Sequence, residues 1–468
     1  MTVKETIIRD SVHDQIFVDP IARAFLDKNE FDRLAFISQL GLASRIYPSA
    51  THNRLSHSIG TYHLSRVLLE SIEKELKVEK IIKNSIMIAS LCHDLGHGPF
   101  SHLWEGFLHM DPNFKGYSHE KMSCKIIRNM SNKYADIRAF LDNKEFDLDL
   151  VCDLIVGYPS EKSVYNSSKL KYAFEIMSNN LNGIDVDKLD YLKRDAQFCG
   201  HSGTVFNLDR FLLLYKPKMI QLPGDEEECL HMCLKDTEFT QANIIFSTRN
   251  CFHRSIYKHK AISGLNHMLM ETLKRNEKNL NLRKICFEAF FNENPYYMEE
   301  FFNLTDPYVY QKMKVEFPED SKLLMRISNR DLYTHLMTKH LVYDDDFTND
   351  GIPESIIIKK GAYVQHEEIE KLFYDRIMGE KPADGEFLFV LQTFKSNSTT
   401  KDPIIAYYQD EAPFKTKFRT IKLVKSHAIF VYWTGSRSSD SIKFIQEKIN
   451  QYSSLIDEII QSLYETKP

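Results

Sequence analysis

The sequence lacks an apolar run long enough to span a bilayer, and its first residues lack the apolar core of a secretory signal. It also lacks a basic excess, because 60 Lys and Arg residues stand against 65 Asp and Glu residues. These absences argue against a membrane protein, a secreted protein and a protein that binds nucleic acid through its overall charge. We therefore expect a cytoplasmic or nuclear protein in which local clusters of Lys and Arg meet anionic partners.

Cysteine is sparse and shows no pairing pattern. The eight cysteines are scattered, and the only close pair, Cys229 and Cys233, has neither the spacing nor the companions of a zinc site. Reduced thiols of an intracellular protein are the expected state. Internal repeats and low-complexity tracts are also absent, whereas 468 residues suffice for a large core and for more than one domain.

Helical patterning dominates the first two thirds of the chain. Residues 7–18 form a short extended arm or hairpin, and from residue 21 to about 333 the apolar spacing is mostly helical. We therefore predict a mainly α fold, with a helical catalytic region over residues 1–340.

The last third of the chain predicts a smaller α+β lobe over residues 341–468. Short β-branched or aromatic runs there, bounded by polar loops, indicate strands. These runs are Ser355–Ile358, Phe387–Leu391, Ile404–Tyr408 and Ala428–Tyr432. A final helix is expected within residues 439–464, and residues 396–400 are the most linker-like stretch.

The most informative stretch runs from residue 91 to residue 102, with the sequence LCHDLGHGPFSH. It follows an apolar run that indicates a buried helix, so its ionisable side chains would be costly without partners. Adjacent His93 and Asp94 offer a nitrogen and a carboxylate oxygen, a combination that suits a divalent cation. Taken alone, this dipeptide is more typical of a buried hydrogen-bonded pair, so the metal hypothesis depends on the other residues.

Two distant residues complete a possible metal site. His57 precedes the central stretch, and Asp187 follows it at the start of another helical pattern. Together they would give one ion two nitrogens and two oxygens, leaving room for water and a phosphate oxygen. The four candidate ligands are His57, His93, Asp94 and Asp187. This set does not select among Fe, Mn, Zn, Ni and Mg.

Histidines and cations surround the possible metal site in the sequence. His97, His102 and His119 are more histidines than a core needs, and imidazole transfers protons near neutral pH. Metal, His, Arg and Lys together are typical of phosphoryl chemistry. The candidate cations are Arg54, Lys188 and Arg249. Each residue alone has an ordinary structural explanation: Asp190 and Arg194, for example, could form an ion pair on a surface helix face.

Several stretches carry the HD-domain signature H…HD…D. They resemble the catalytic core of the metazoan sterile-alpha-motif and HD-domain dNTP triphosphohydrolases, and the likeness covers nearly the whole chain. The stretches are residues 53–60, 91–102, 182–195, 248–250, 257–260 and, more weakly, 401–404. No sterile-alpha-motif domain is expected, since the sequence starts directly at the catalytic region. The resemblance implies metal-dependent hydrolysis of dNTPs to deoxynucleoside and inorganic triphosphate, which controls dNTP pools, with Mg accompanying the nucleotide.

The resemblance also implies residue roles. His102 would contact the α-phosphate, while His97 and His119 would handle the phosphate and the leaving 5′ oxygen. Glu105 replaces the aspartate that backs His119 in the family. The expected triphosphate ligands are Arg54, Lys188, Tyr191 and Arg249. The expected sugar contacts are Gln39, Leu40, Asp195 and Tyr257, which would exclude a 2′ hydroxyl. Lys258 replaces a family glutamine beside the base, so the base preference stays open.

Regulation is where the sequence departs most from the family. Family members assemble as tetramers when a guanine nucleotide and then a dNTP bind between subunits. Asp27 matches the guanine-reading aspartate, but its expected companions are replaced by Thr6, Asp32 and Ala35. The second pocket is matched by Arg210, Lys235, His259, Lys260 and Arg330, whereas Thr237 and Ser255 replace two cations. Lost cations weaken polyphosphate binding. Our hypothesis is a homo-oligomer, dimer or tetramer, in which guanine-nucleotide activation is absent or replaced by another effector.

Two other functions stay open at this point. One is an HD phosphohydrolase acting on a nucleoside monophosphate or an alarmone, which the match of Asp195 and Tyr257 to a deoxyribose pocket disfavours. The other is a non-catalytic scaffold that binds single-stranded nucleic acid, which the complete metal and histidine set disfavours. Binding of single strands as a secondary property has no support in the sequence.

Overall fold

The computed structural model describes most of the chain up to residue 343 and several segments beyond it. The described residues are 6–161, 163–165, 169–201, 206–222, 225–343, 355–358, 387–394, 404–408, 417–420, 426–435 and part of 447–460. The predicted linker at residues 396–400 and the weak match at residues 401–403 lie outside them, as does much of the predicted final helix.

Helices make up most of the described structure, which confirms the mainly α prediction. They are α1 (Pro20–Leu26), α2 (Asn29–Asp32), α3 (Arg54–Ile72), α4 (Lys80–Cys92), α5 (His102–His109), α6 (His119–Lys133), α7 (Ala135–Asp142), α8 (Leu148–Val156), α9 (Lys171–Met177), α10 (Val186–Phe198), α11 (Leu208–Leu214), α12 (Phe239–Phe252), α13 (Lys260–Leu280), α14 (Leu282–Phe290), α15 (Pro295–Asn303), α16 (Asp306–Glu316) and α17 (Lys322–Ser328). None of the described helices is long and apolar enough to cross a membrane. The cytoplasmic or nuclear location stays a prediction.

Within the described residues, short strands form three small sheets. They are β1 (Thr6–Asp10), β2 (Asp14–Val18), β3 (Tyr215–Ile220), β4 (Cys229–Lys235), β5 (Thr334–Tyr343), β6 (Ser355–Ile358), β7 (Phe387–Phe394), β8 (Ile404–Tyr408), β9 (Lys417–Thr420) and β10 (Ser426–Trp433). The four strands predicted from the apolar runs are confirmed, as is the N-terminal hairpin of β1 and β2.

The chain divides into two compact units, which interleave along the sequence. The first consists of Met1–Arg249, Glu277–Val315 and Asn397–Lys422, and the second of Asn250–Asn276, Glu316–Ser396 and Leu423–Pro468. The domain boundary placed between residues 340 and 341 stays a prediction.

The first unit contains the helices that carry the HD motif, together with the β1–β2 hairpin and the sheet β3-β4-β8-β9. In this sheet β8 pairs with β4 in parallel, although more than 160 residues separate them. Helix α4 is buried along most of its length, as the apolar run predicted, and it ends at Cys92 immediately before the central motif. Its end therefore fixes where His93 and Asp94 lie.

Helix α3 lies very close to α10. A Cβ atom added at Gly60 of α3 would be 2.0 Å from Asp190 Oδ1 and 2.4 Å from Arg194 Nη2, both on α10. Only glycine allows this approach. The contact brings the first turns of α3 and α10, which carry His57 and Asp187, to the same place.

The second unit contains the sheet β6-β5-β10-β7, in which β10 pairs antiparallel with both β5 and β7. The apolar side chains of β10 are buried from Ala428 to Trp433. Tyr432 donates a hydrogen bond from its hydroxyl to the carbonyl oxygen of Lys260 at 2.7 Å, which ties this sheet to the start of α13.

Candidate active site

Four side chains from three helices of the first unit bring possible metal-binding atoms together. His57 lies on α3, His93 and Asp94 follow α4, and Asp187 lies on α10. Asp187 Oδ1 is 3.0 Å from His57 Nε2 and 3.6 Å from His93 Nε2. Asp94 Oδ1 is 3.4 Å from His93 Nε2, and Asp94 Oδ2 is 3.7 Å from His57 Nε2. The structure thus joins residues that are 130 positions apart in the sequence.

The residues present fit a divalent cation. Atoms that share one ion at bond lengths of about 2.1 Å lie roughly 3 to 4 Å from one another, as these atoms do. His93 Nε2 is buried and has no hydrogen-bond partner among the described residues, whereas its Nδ1 lies 2.9 Å from the Ser90 carbonyl oxygen. A buried nitrogen without a partner is costly, and a metal ion would satisfy it. The site can therefore hold a divalent metal, whose identity the ligand set leaves open.

Asp190 orients one of these ligands, a role that the sequence analysis missed. Its Oδ2 atom lies 2.7 Å from His57 Nδ1, so the other ring nitrogen of His57 faces the metal position. Arg194 donates two hydrogen bonds of 2.9 Å to Asp190, and His13 Nε2 lies 2.6 Å from Asp190 Oδ1. The Asp190–Arg194 pair forms with the expected helix spacing, and it is fully buried, which excludes the alternative of an ion pair on a surface helix face.

The β1–β2 hairpin completes this buried network. Asp10 accepts a hydrogen bond of 2.9 Å from Arg194 Nη1, and His13 lies in the turn between the two strands. The spacing of Asp187 and Asp190, three positions apart on one helix, could have indicated that both carboxylates face the same side.

We expect Asp190→Asn to lower metal affinity by roughly 10- to 100-fold, because removing a carboxylate that orients a metal-binding histidine usually lowers the affinity by about this factor. The amide cannot hold His57 in one tautomer, and it leaves Arg194 with one buried carboxylate, Asp10. Calorimetric titration of the metal-free protein with Mn²⁺ would measure the change. Asp149→Asn, which alters an exposed carboxylate paired with Arg128 on the surface, is the control and should bind like the parent. Equal affinities in both variants would contradict the orienting role.

Three histidines form a second cluster beside the metal ligands. The rings of His97 and His119 stack with centroids 3.9 Å apart, and the ring of His102 lies 5.1 Å from His97 and 5.6 Å from His119. His97 Nε2 is also 3.3 Å from Asp94 Oδ1, which links the two groups. The structure therefore brings the three predicted catalytic histidines together.

Glu105 reaches His119 despite the longer side chain. Its Oε2 atom lies 3.3 Å from His119 Nδ1, and its Oε1 atom accepts a hydrogen bond of 3.4 Å from the His119 amide. Burial lowers the pKa of His119, but the hydrogen bond to Glu105 and the charges of Glu105 and Glu120 outweigh it and raise that pKa to about 9. Burial and the positive charges of Arg54 and His119 hold the pKa of His97 well below its usual value. Near neutral pH the stacked pair thus contains one protonated and one neutral imidazole.

The loop that carries His97 and His102 has a strained backbone, which is stabilised by hydrogen bonds with side chains of other segments. Phe100 and Ser101 both have φ near +60°, which is unfavourable for residues with side chains. Asp306 accepts a hydrogen bond of 2.6 Å from the Phe100 amide, and buried Arg33 donates to the carbonyl oxygens of Leu95 and His97. Neither Asp306 nor Arg33 carries a motif, so the sequence analysis had no signal for them.

Close packing at Gly96 fixes the same loop against α6. A Cβ atom there would lie 2.1 Å from the His119 carbonyl oxygen and 2.6 Å from the Ser123 amide nitrogen. Glycine therefore lets the loop contact the first turn of α6, which positions His119 beside His97.

Arg54, predicted to bind triphosphate, is buried next to the metal ligands. It donates hydrogen bonds to Asp94 Oδ2 at 2.8 Å, to Ser101 Oγ at 2.9 Å and to the Gln39 carbonyl oxygen at 3.3 Å. Gln39 is itself buried, and its Oε1 atom has no hydrogen-bond partner in the described part of the chain. Leu40 follows at the beginning of the short 3₁₀ helix Gly41–Arg45. The segment that carries the two predicted sugar contacts Gln39 and Leu40 thus lies against Arg54.

The other predicted triphosphate ligands come from α10 and from α12. Lys188 donates a hydrogen bond of 2.7 Å to Asp185, and the ring of Tyr191 lies 6.5 Å from that of His57. Burial raises the pKa of Tyr191, while the charges of Arg249 and Lys188 lower it, so both cations lie close to this phenol. Asp195 Oδ1, a predicted sugar contact, is 2.7 Å from His52 Nε2.

The remaining predicted residues are distributed over the two units. Tyr257 lies in the second unit, in a π-helical turn over His253–Tyr257, and its ring is 5.0 Å from the ring of His253. Of the predicted effector residues, Asp27, Arg210 and Lys235 lie in the first unit, whereas His259, Lys260 and Arg330 lie in the second. Their joint role in one effector pocket stays a prediction.

Comparison with known proteins agrees with this geometry. Residues 54–195 match the HD domain family. The chain is 30% identical over 386 residues to the deoxynucleoside triphosphate triphosphohydrolase SAMHD1 homolog of Dictyostelium discoideum, covering 79% of this chain and 69% of that protein. It is 30% identical over 351 residues to the SAMHD1 protein of Gallus gallus and 32% identical over 281 residues to that of Homo sapiens. These two alignments cover 70% and 57% of this chain, and 56% and 44% of the relatives.

The fold and the site define an HD-domain phosphohydrolase. The chain belongs to the family of deoxynucleoside triphosphate triphosphohydrolases that these relatives represent, as the sequence resemblance predicted. It spans about two thirds of the Dictyostelium relative and about half of each of the two vertebrate relatives.

Proposed function

We propose that this chain hydrolyses deoxynucleoside triphosphates to deoxynucleoside and inorganic triphosphate, and thereby lowers dNTP pools. The observation that carries this proposal is the position of a three-histidine cluster directly beside a His/Asp metal site, with His97 Nε2 3.3 Å from Asp94 Oδ1. Membership of the dNTP triphosphohydrolase family supports the substrate class.

Helix ends support a polyphosphate substrate. Helices α3, α5, α6 and α10 all begin at the site, with Arg54, His102, His119 and Asp187 in their first turns. Amide groups at a helix N-terminus and the helix dipole favour anions. The negative charge of the triphosphate would be neutralised partly by the bound metal ion and partly by Arg54, Lys188 and Arg249.

The divalent metal would be held by His57, His93, Asp94 and Asp187. A metal bound there would act as a Lewis acid and stabilise the negative charge of the phosphate groups. His119 would donate a proton to the leaving 5′ oxygen, because its pKa of about 9 keeps it protonated near neutral pH. Glu105 would hold that imidazole by its Nδ1 atom, and the Nε2 atom, which lies 3.5 Å from Glu120 Oε1, would donate the proton. His102, whose side chain is largely exposed, would contact the α-phosphate.

The selection of deoxyribose would come from Gln39, Leu40, Asp195 and Tyr257. Asp195 is held by His52, which stacks on Phe198 with ring centroids 4.7 Å apart. A fixed carboxylate can reject a sugar whose hydroxyl groups do not match it. The aromatic ring of Tyr257 would close the position that a ribose 2′ hydroxyl needs.

We further propose an oligomer whose activity does not depend on a guanine nucleotide. Asp27, the match to the guanine-reading aspartate, forms a hydrogen bond of 2.5 Å with Arg23 Nε, and Arg23 also donates to Thr6 Oγ1 at 2.7 Å. The positions that would read guanine are therefore linked to each other by Arg23. Arg210, expected in the second pocket, likewise donates to Glu238 at 2.6 Å.

Product analysis tests the proposed reaction. Purified protein with Mn²⁺ or Mg²⁺ is incubated separately with each dNTP, each NTP, a nucleoside monophosphate and a guanosine alarmone, with and without GTP, and the products are separated by chromatography. We expect deoxynucleoside and triphosphate from dNTPs alone, with no requirement for GTP. Release of inorganic phosphate from a monophosphate, or of pyrophosphate from an alarmone, would instead identify a different substrate. Turnover that requires GTP would contradict the proposed self-sufficiency but not the reaction.

A further inference from the structure

A second cluster of metal-binding side chains lies on the hairpin formed by β3 and β4, in the first unit. Asp225, Cys229 and His231 each place one ligand atom within 4.8 Å of the other two. Cys229 and His231 are two positions apart on β4, so their side chains point to the same face of the strand. Asp225 lies in the connection between β3 and β4 and turns back towards them. None of these residues belongs to the HD motif.

The side chain of His231 is fixed in the orientation that a metal ligand needs. Its Nδ1 atom contacts Oε1 of Glu175, which lies on α9, while its Nε2 atom is 2.9 Å from Asp225 Oδ2. The other carboxylate oxygen of Glu175 accepts a hydrogen bond of 2.6 Å from the Met232 amide, so Glu175 cannot rotate freely. When Nδ1–H donates to a carboxylate, Nε2 carries the lone pair that binds a metal, and most metal-binding histidines have such a partner.

Burial and charge also suit a cation at this place. Cys229 and His231 are 2% and 5% exposed, and Glu175 is buried beside them. The Glu175 carboxylate offsets the ammonium of Lys171, which lies against Asp225 and Cys229, so that a thiolate and the Asp225 carboxylate balance two positive charges and the neutral imidazole adds none. Lys171 Nζ contacts Asp225 Oδ1, which leaves Oδ2 facing His231. Binding would widen the 2.9 Å distance between His231 and Asp225 by only a few tenths of an ångström, since ligand atoms around zinc lie about 3.3 Å apart.

We propose that Asp225, Cys229 and His231 form a second metal site, which takes zinc or a similar thiophilic divalent ion, with Glu175 as the group that orients His231. A thiolate ligand selects against Mg²⁺ and Ca²⁺. Three protein ligands leave a fourth position for water. The ion joins the β3–β4 connection to β4 and, through Glu175, to α9. Its role is structural, because no residue of the histidine cluster or of the HD metal site takes part.

The competing arrangement contains no metal. In it His231 is an imidazolium between Glu175 and Asp225, and Cys229 is a neutral thiol that donates to the Glu227 carbonyl oxygen at 3.4 Å. Both arrangements use the same side chains, but only one of them places a thiolate on a metal. A spectroscopic probe for the metal–sulfur bond therefore separates them.

Cobalt supplies that probe, because a thiolate bound to Co²⁺ gives a charge-transfer band in the near ultraviolet. The HD site has no thiolate among its four ligands, so it does not contribute to the band. Metal-free protein is titrated with Co²⁺ alone, and then with Zn²⁺ in competition. The variants are Cys229→Ser and His231→Gln. The controls are Cys233→Ser, which changes a buried thiol on the same strand, and Asp94→Asn, which alters the HD site.

We expect a charge-transfer band that saturates with one equivalent of Co²⁺ in Asp94→Asn and within two equivalents in the parent protein, where the HD site also takes Co²⁺. The band should disappear when Zn²⁺ is added and should be lost in Cys229→Ser. In His231→Gln the affinity for Co²⁺ should be at least about tenfold lower. Cys233→Ser and Asp94→Asn should keep the band. Absence of the band in the parent protein, or its persistence in Cys229→Ser, would overturn the proposal. Thermal unfolding gives an independent measure: Zn²⁺ should raise Tm in Asp94→Asn but not in Cys229→Ser combined with Asp94→Asn.

Discussion

Asp94→Asn should reduce dNTP hydrolysis by at least about 10³-fold, the largest effect expected of any single substitution. Asp94 contributes one oxygen to the metal position and also accepts a hydrogen bond from Arg54, which is predicted to bind the triphosphate. An amide is a poorer ligand and leaves the buried guanidinium of Arg54 without its carboxylate. Metal-assisted stabilisation of phosphate charge is worth several kcal/mol, which corresponds to a loss of this size.

Two measurements separate lost chemistry from lost folding. Circular dichroism and thermal unfolding, both recorded without metal, report the cost of leaving Arg54 unpaired, and elemental analysis reports the metal bound after loading. Asp149→Asn is the matched control and should retain activity and metal content. Activity within about tenfold of the parent in Asp94→Asn would contradict the assignment of Asp94 as a metal ligand.

Glu105→Gln should move the alkaline limb of the pH–rate profile to lower pH. The pKa of His119 is about 9 in the folded protein, above its usual 6.5, so the imidazole keeps its proton below pH 9 and loses it above. A rate that needs protonated His119 is therefore constant at neutral pH and falls above about pH 9. Without the Glu105 carboxylate, the charges of Glu120 and Asp94 alone oppose the effect of burial, so the pKa of His119 falls and the rate begins to drop at a lower pH than in the parent.

His119→Ala should lower kcat by roughly 10²- to 10⁴-fold, the usual contribution of a positioned general acid. The limb near pH 9 should vanish with it. Glu70→Gln, an exposed carboxyl on α3, is the control and should leave the profile unchanged. If the limb stays near pH 9 in both Glu105→Gln and His119→Ala, another group must donate the proton.

The helices could be predicted from the sequence because they leave local signals, and so could the four residues that the structure brings together as proposed metal ligands. Apolar periodicity predicted α4, and the adjacent His93 and Asp94 marked its end as a site. His57 and Asp187 were found because they recur in the known H…HD…D order. The apolar runs likewise predicted four strands correctly. They could not predict that β8 pairs with β4, because a strand's own pattern does not specify its partner.

The residues that sequence reasoning missed act through tertiary contacts. Asp190 was considered only as a possible partner of Arg194, since helix spacing reveals this pairing but neither the burial of both groups nor the contact with His57. Asp306 holds the backbone of the catalytic loop from 200 residues away. Cys229 was compared only with Cys233, whereas the side chains beside it are a histidine two positions later and an aspartate four positions earlier.

The N-terminal hairpin is connected to the metal position by three successive contacts. His13 in its turn touches Asp190, Asp190 holds His57, and His57 faces the cation. Opening of the hairpin therefore exposes a buried carboxylate–guanidinium pair and releases a metal ligand at the same time. Amide hydrogen exchange in β1 and β2 should consequently report metal occupancy from a distance: the amides of this hairpin should exchange more slowly when the metal is bound.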